Sequence, residues 1–258
     1  MFNLSSDAMQ VTEKQEINGC TLEVMEYKHL RGTGLPAEMF YRDKLGQRLK
    51  TIRVTLQNGQ FFTEPGQLHY MVGALEISTT GGGGLGGILS RAVKALATGE
   101  SMYKTAYTGM GTIFLEPTFK HFLLVQIDKD EVVCDRGAFV AAAGAIDIGV
   151  KKPDSIVAGA LSGEGFFQPV LRGTGIVILE SPVPPEELMT VELENDQLVV
   201  DGNLAFARTG NIRMSIEKSQ KSLLGTVRGG EGIVTIFKGT GVVWLAPTER
   251  VYRPSLVP

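Results

Sequence analysis

Gly163-Glu164-Gly165-Phe166-Phe167, followed by Arg172-Gly173-Thr174-Gly175-Ile176-Val177-Ile178-Leu179, decides the reading of this chain, because the pattern occurs three times. The earlier copy is Gly99-Glu100-Ser101-Met102-Tyr103 with Thr108-Gly109-Met110-Gly111-Thr112-Ile113-Phe114-Leu115. The later copy is Gly230-Glu231-Gly232-Ile233-Val234 with Lys238-Gly239-Thr240-Gly241-Val242-Val243-Trp244-Leu245. Glu100, Glu164 and Glu231 are spaced 64 and then 67 residues apart. A second block precedes each copy: Gln60-Phe61-Phe62-Thr63-Glu64-Pro65-Gly66, Glu131-Val132-Val133-Cys134-Asp135-Arg136-Gly137, and Gln197-Leu198-Val199-Val200-Asp201-Gly202. An alternating run follows each block, at Leu68-His69-Tyr70-Met71, Ala138-Phe139-Val140-Ala141 and Leu204-Ala205-Phe206-Ala207.

Runs rich in Val, Ile and Phe, bounded by Gly, Asp and Asn, read as strands joined by turns. The four apolar residues after each G-x-G are too few for a helix and fit a buried strand. The G-x-G glycines are free to take φ > 0, which predicts chain reversals there. The acids Glu64, Asp135 and Asp201 suit turns, where a carboxylate accepts hydrogen bonds from nearby backbone N–H groups. A period this long exceeds that of ordinary solenoid repeats, so each unit is expected to hold five or six strands. One small sheet leaves an apolar face that must be covered. Three related units around a pseudo-threefold axis would cover one another. The expected fold is therefore mainly β: three pseudo-symmetric, β-sandwich-like repeats in one compact domain. The repeats span about 57–118, 127–181 and 193–248 within a domain of 57–250.

The flanks and one linker depart from this pattern. Residues 1–56 read as an irregular segment with strands at Thr21–Met25 and Thr51–Leu56 and a loop over Arg31–Leu49. Residues 251–258, with Pro254, read as a loose tail. Copies two and three have short polar linkers. Copy one instead has Gly81-Gly82-Gly83-Gly84-Leu85-Gly86-Gly87 and then an amphipathic stretch from Ile88 to Ala97. Ile88, Leu89, Ala92, Val93 and Leu96 share one helical face, with Arg91 and Lys94 off it. This predicts one short helix after a Gly-rich loop. Most simply it packs on its own domain; Ile88, Leu89, Arg91 and Lys94 are also the candidates for contact with a membrane surface or partner. The loop lacks the G-K-[ST] ending of a Walker A motif, so phosphate binding is not expected.

Composition excludes several classes. With 258 residues, 43% hydrophobic and 21% charged, the chain is ordinary globular material. The net charge of −3, with Lys and Arg scattered among acids, argues against nucleic acid as the main partner. Cys20 and Cys134 show no CxxC spacing and read as free thiols of a cytoplasmic protein. No apolar run approaches the ~20 residues that span a bilayer. His29, His69 and His121 lack metal-ligand spacing, and no G-x-S-x-G nucleophile elbow occurs. No catalytic residue, metal or cofactor is therefore expected. One geometric candidate remains: a threefold axis could bring Glu100, Glu164 and Glu231 together to hold a cation or basic partner. The simpler reading is that each carboxylate serves its own turn.

Six segments carry a resemblance to a known family. They are Tyr70-Met71-Val72-Gly73, Gly81–Leu85 with the stretch after it, Gly99–Tyr103, Arg136–Ala141, Ser162–Phe167 and Asp201–Phe206. In this order they resemble the altered-inheritance-of-mitochondria family over about Gln57 to Pro247. The resemblance implies a β-rich fold of three structural repeats, related to that of the tryptophan RNA-binding attenuation protein. It implies no catalytic set, and its mitochondrial members are linked to inner-membrane organisation. The expected function is a non-catalytic binding or scaffold protein, at a membrane surface or in an assembly. The alternatives are a small-ligand binder or cryptic enzyme with a cleft between repeats and, more weakly, RNA binding. The partner is unknown; a homo-oligomer is allowed because exposed strand edges must be paired or blocked.

Overall fold

A computed structural model describes residues 8–30, 36–80, 104–135, 137–156, 168–201, 204–218 and 233–252. A hairpin opens the chain, β1 (Met9–Ile17) and β2 (Cys20–Tyr27), turning at Asn18-Gly19, both at positive φ. Helix α1 (Pro36–Lys44) follows, where the sequence suggested only a loop. Its short run holds together through an i,i+4 ion pair, Glu38 to Arg42 at 2.6 Å, and through Arg42 lying 4.2 Å from the centre of the Phe119 ring.

Three similar sets of strands then follow. The first is β3 (Lys50–Thr63), β4 (Leu68–Thr80) and β5 (Lys104–Leu115). The second is β6 (His121–Cys134), β7 (Phe139–Lys151) and β9 (Gln168–Ser181), with the two-residue β8 (Ser155–Ile156) between β7 and β9. The third is β10 (Met189–Asp201), β11 (Ala205–Lys218) and β12 (Ile233–Leu245), after which α2 (Glu249–Tyr252) ends the described chain. In each set the last strand pairs antiparallel with both earlier ones. Each set therefore shows three long strands among the described residues, not the five or six expected.

The reason for the miscount lies in the glycines. The G-x-G elements do not reverse the chain; they sit in the middle of β5, β9 and β12. Gly109, Gly173 and Gly239 have φ of 106°, 128° and 140°. A Cβ at these positions would come within 2.3, 2.1 and 2.0 Å of the carbonyl oxygens of Ala74, Ala145 and Asn211. The glycines are required because neighbouring backbones close in at a bend within paired strands. The first strands bend as well, at shifts of register next to Asn58, Lys129 and Asn195, all at positive φ.

All the described strands belong to one sheet of twelve, antiparallel except for β8 against β11. Two short seams join the sets: β3 pairs β7 and β6 pairs β11, three residue pairs each. The sheet curls so that apolar side chains cover both faces of its middle. Residues 139–144 of β7 and 175–179 of β9 are buried without interruption, the pattern of strands covered on both sides. One cluster joins Leu22, Ile52, Val54 and Phe61 to Val140, Ile176 and Ile178. A second joins Phe62 and Leu171 to Phe206 and Ala246, and a third gathers Ile212, Met214, Phe237 and Val243 within the last set. Cys20 and Cys134 are both free and buried. Burial raises the Cys20 thiol to about 11 and the Cys134 thiol further still, so both are inert protonated core groups.

Candidate functional site

Ile88, Leu89, Arg91, Lys94, Glu100, Glu164 and Glu231 all lie outside the described residues, as do the Gly-rich loop and the helix expected after it. The described residues show two other features that sequence reasoning missed.

The first is a contrast between strand edges. At the seams, Phe61, Phe62 and Thr63 of β3 face Ala143, Ala142 and Ala141 of β7. Val132, Val133 and Cys134 of β6 face Thr209, Arg208 and Ala207 of β11. Apart from Thr209, none of these side chains is more than 5% exposed. Each seam is extended by one further backbone bond: the Glu64 N–H donates to the Val140 carbonyl at 2.9 Å, and the Asp135 N–H to Phe206 at 2.8 Å. Strands β4 and β10 are different. Each pairs with one neighbour only among the described residues. Some of their apolar side chains face solvent: Tyr70 is 37% exposed, Val72 44% and Val199 50%, with Ile77 and Met189 also exposed, while Val200 and Leu193 are buried. Such apolar strand edges are templates for further pairing.

Strand β1 is an edge of another kind. Lys14 and Glu16 form an ion pair at 2.6 Å on its exposed side, and the Gln15 amide donates to the Leu124 carbonyl at 3.1 Å. Charge and that bond guard β1, whereas the Leu198–Val200 and Tyr70–Val72 segments carry no charged residue.

The second feature is a cleft of about 760 Å³ at the ends of the strands. Lys50 from the start of β3 meets His121 from the start of β6, Nζ to Nδ1 at 3.1 Å. Both groups sit below their ordinary pKa values. Burial disfavours the charge on each, and the Lys50 ammonium adds to the effect on His121. The consistent arrangement is a Lys50 ammonium donating to the neutral His121 ring. The other cations of the wall are paired, Arg48 with Asp43 at 2.8 Å and Lys120 with Glu180 at 2.5 Å. Among the described residues no carboxylate forms an ion pair with Lys50. Across the cleft Glu187 is bound by Thr248 and by the Tyr252 hydroxyl, which ties α2 to the turn at Pro185–Glu187. Val251 and Tyr252 thus belong to a helix held to the domain, and the rest of the expected tail, residues 253–258, lies outside the described residues. No sequence motif signals the cleft, because its two basic groups lie 71 positions apart.

This architecture can be set beside known proteins. The family model described as mitochondrial biogenesis AIM24 matches residues 43–248, most of the chain. The chain belongs to this family. Its boundaries agree with the three strand sets and leave the β1–β2 hairpin outside. No curated protein matches. Among solved structures, the AIM24-family chain is similar to protein SPYM3_0169 from Streptococcus pyogenes, at 22% identity. The match covers 77% of this chain and 87% of that one, with a TM-score of 0.57, and it supports the fold alone. Among the described residues no helix is long and apolar enough to cross a membrane.

Proposed function

We propose that this AIM24-family chain is a non-catalytic scaffold that works inside an assembly, built from three related strand sets. One observation carries the reading: β4 and β10 expose Tyr70, Val72 and Val199, whereas Ala141, Ala143, Phe62 and Val133 at equivalent seam positions are buried. Leaving such edges open exposes unpaired backbone and apolar surface together, which favours association. The test is the mass of the full chain in its native extract and after purification, by sedimentation and native mass spectrometry. A species larger than one 27.8 kDa chain in the extract supports the reading. A 27.8 kDa species in both settings overturns it.

A second reading, small-ligand binding, is favoured by the cleft at Lys50 and His121. A half-buried ammonium held by the His121 ring, with Glu26 and Glu186 near but not in ion-pair contact, leaves room for a small anion. Titration calorimetry with inorganic phosphate and small carboxylates tests it. Heat that disappears in Lys50→Met supports the reading, and no heat at millimolar ligand rejects it.

A further inference from the structure

The register of the seams predicts what covers the open edges. Gly73, Gly144 and Gly210 each face the second glycine of a G-x-G, namely Gly111, Gly175 and Gly241. Counting back from these landmarks makes Val72, Ala143 and Thr209 equivalent, then Met71, Ala142 and Arg208, then Tyr70, Ala141 and Ala207. On the first strands, Phe61, Val132 and Leu198 each face the residue two before the first glycine: Tyr107, Leu171 and Phe237. Both seams then obey one rule. The first strand of a set pairs with the second strand of the next set, Phe61 to Ala143 and Val132 to Thr209. Among the described residues no set follows the third and none precedes the first. Their leftover edges are β10 and β4, the two that carry exposed apolar side chains and no guarding charge at Leu198–Val200 and Tyr70–Val72.

We infer that a second copy of this chain fills the gap: β10 of one molecule pairs antiparallel with β4 of the next, as though the next molecule's first set were a fourth set. This rests on the scaffold reading and names its partner. The register is fixed: Leu198 opposite Val72, Val199 opposite Met71, Val200 opposite Tyr70, and the Asp201 N–H donating to the His69 carbonyl. Val199 and Val72, half exposed in the single chain, become seam residues like Phe62 and Ala143. Among the described residues of one molecule these edges do not pair, so closure of a chain on itself is the competing outcome. The contact is head to tail, so repeating it gives a ring if the rotation closes and a filament if it does not.

Cysteine pairs read the register directly, since Cys20 and Cys134 are buried and do not compete. Full-length Val199→Cys and Met71→Cys chains are mixed and oxidised with copper–phenanthroline. The expected product is a disulfide dimer from the mixture and from neither variant alone. The pair Val199→Cys with Ala74→Cys, three positions out of register, is expected to give none. In a chain carrying both Val199→Cys and Met71→Cys, covalent oligomers support the inference, whereas a monomer with an internal bond overturns it in favour of self-closure. Absence of a bond in every arm also overturns it. Val199→Lys, a substitution at an exposed site, is expected to raise the concentration for half assembly at least about tenfold. Circular dichroism confirms that each variant is folded. A chain that stays monomeric when pure yet migrates in a larger complex in extract overturns the second-copy partner and leaves the scaffold reading standing. A monomer in both settings overturns both.

Discussion

The seam between β6 and β11 and the bare edge of β10 present equivalent backbone in opposite circumstances. Val133 is 1% exposed and Val199, its counterpart, 50% exposed. Both belong to a first strand bent at a residue with positive φ and paired with a G-x-G strand. What differs is whether a second described strand pairs with it: β11 lies against β6, whereas β10 has β12 alone among the described residues. For these two strands, exposure follows from what lies beside them rather than from their own sequence.

Substitutions at equivalent positions should break this comparison unequally. Ala143→Glu places an unpaired charge in a filled seam and should cost about 3–5 kcal/mol of unfolding free energy. Val72→Glu, at the corresponding open position, should cost about 0.5 kcal/mol or less in the isolated chain. Urea denaturation measures both, and equal costs would mean the β4 edge is already covered.

The glycines offer a second comparison. Gly173→Ala drives a methyl group against the Ala145 carbonyl at φ 128° and should lose about 3 kcal/mol, from backbone strain and overpacking together. Gly66→Ala has positive φ but open space around it and should lose about 1 kcal/mol. Thermal melts that rank these two the other way would show that close strand approach is not what the G-x-G serves.

The smallest effect expected is a pH dependence. His121 is held below its ordinary value of 6.5 by burial and by Lys50, so the unfolded chain binds the proton first as pH falls. The stability linked to this histidine is complete above about pH 6.5 and declines as pH drops through that value toward the folded pKa. His121→Gln should flatten that limb of the stability–pH curve without changing self-association. An unchanged slope would separate His121 from the acid limb.

The β-rich architecture was legible because it is written in runs of Val, Ile and Phe bounded by Gly, Asp and Asn, Gly175 to Leu179 among them. The strand count was not. A glycine at positive φ looks the same in a turn as in a bend where strands approach closely, so each long strand read as two. Helix α1 was hidden for another reason. It buries little of its own surface, with Phe40 and Tyr41 exposed, and its support comes from Phe119, a residue far along the chain, which no local periodicity reveals. The Lys50–His121 pair was equally silent, because only the fold brings the starts of β3 and β6 together. The open edges were invisible too, since Leu198-Val199-Val200 reads like Glu131-Val132-Val133 until the neighbouring strand is known to be missing.

The most direct test of the central claim, that the internal seams and the open edges are one interface filled from different sources, is amide hydrogen exchange followed against protein concentration. Residues 61–63 and 132–134 should be protected at every concentration. Residues 70–72 and 198–200 should exchange fast when dilute and gain matching protection together as the protein is concentrated. Protection of both edges even at high dilution would show that the chain closes on itself, and fast exchange at every concentration would show that no second copy pairs there; either result contradicts the account.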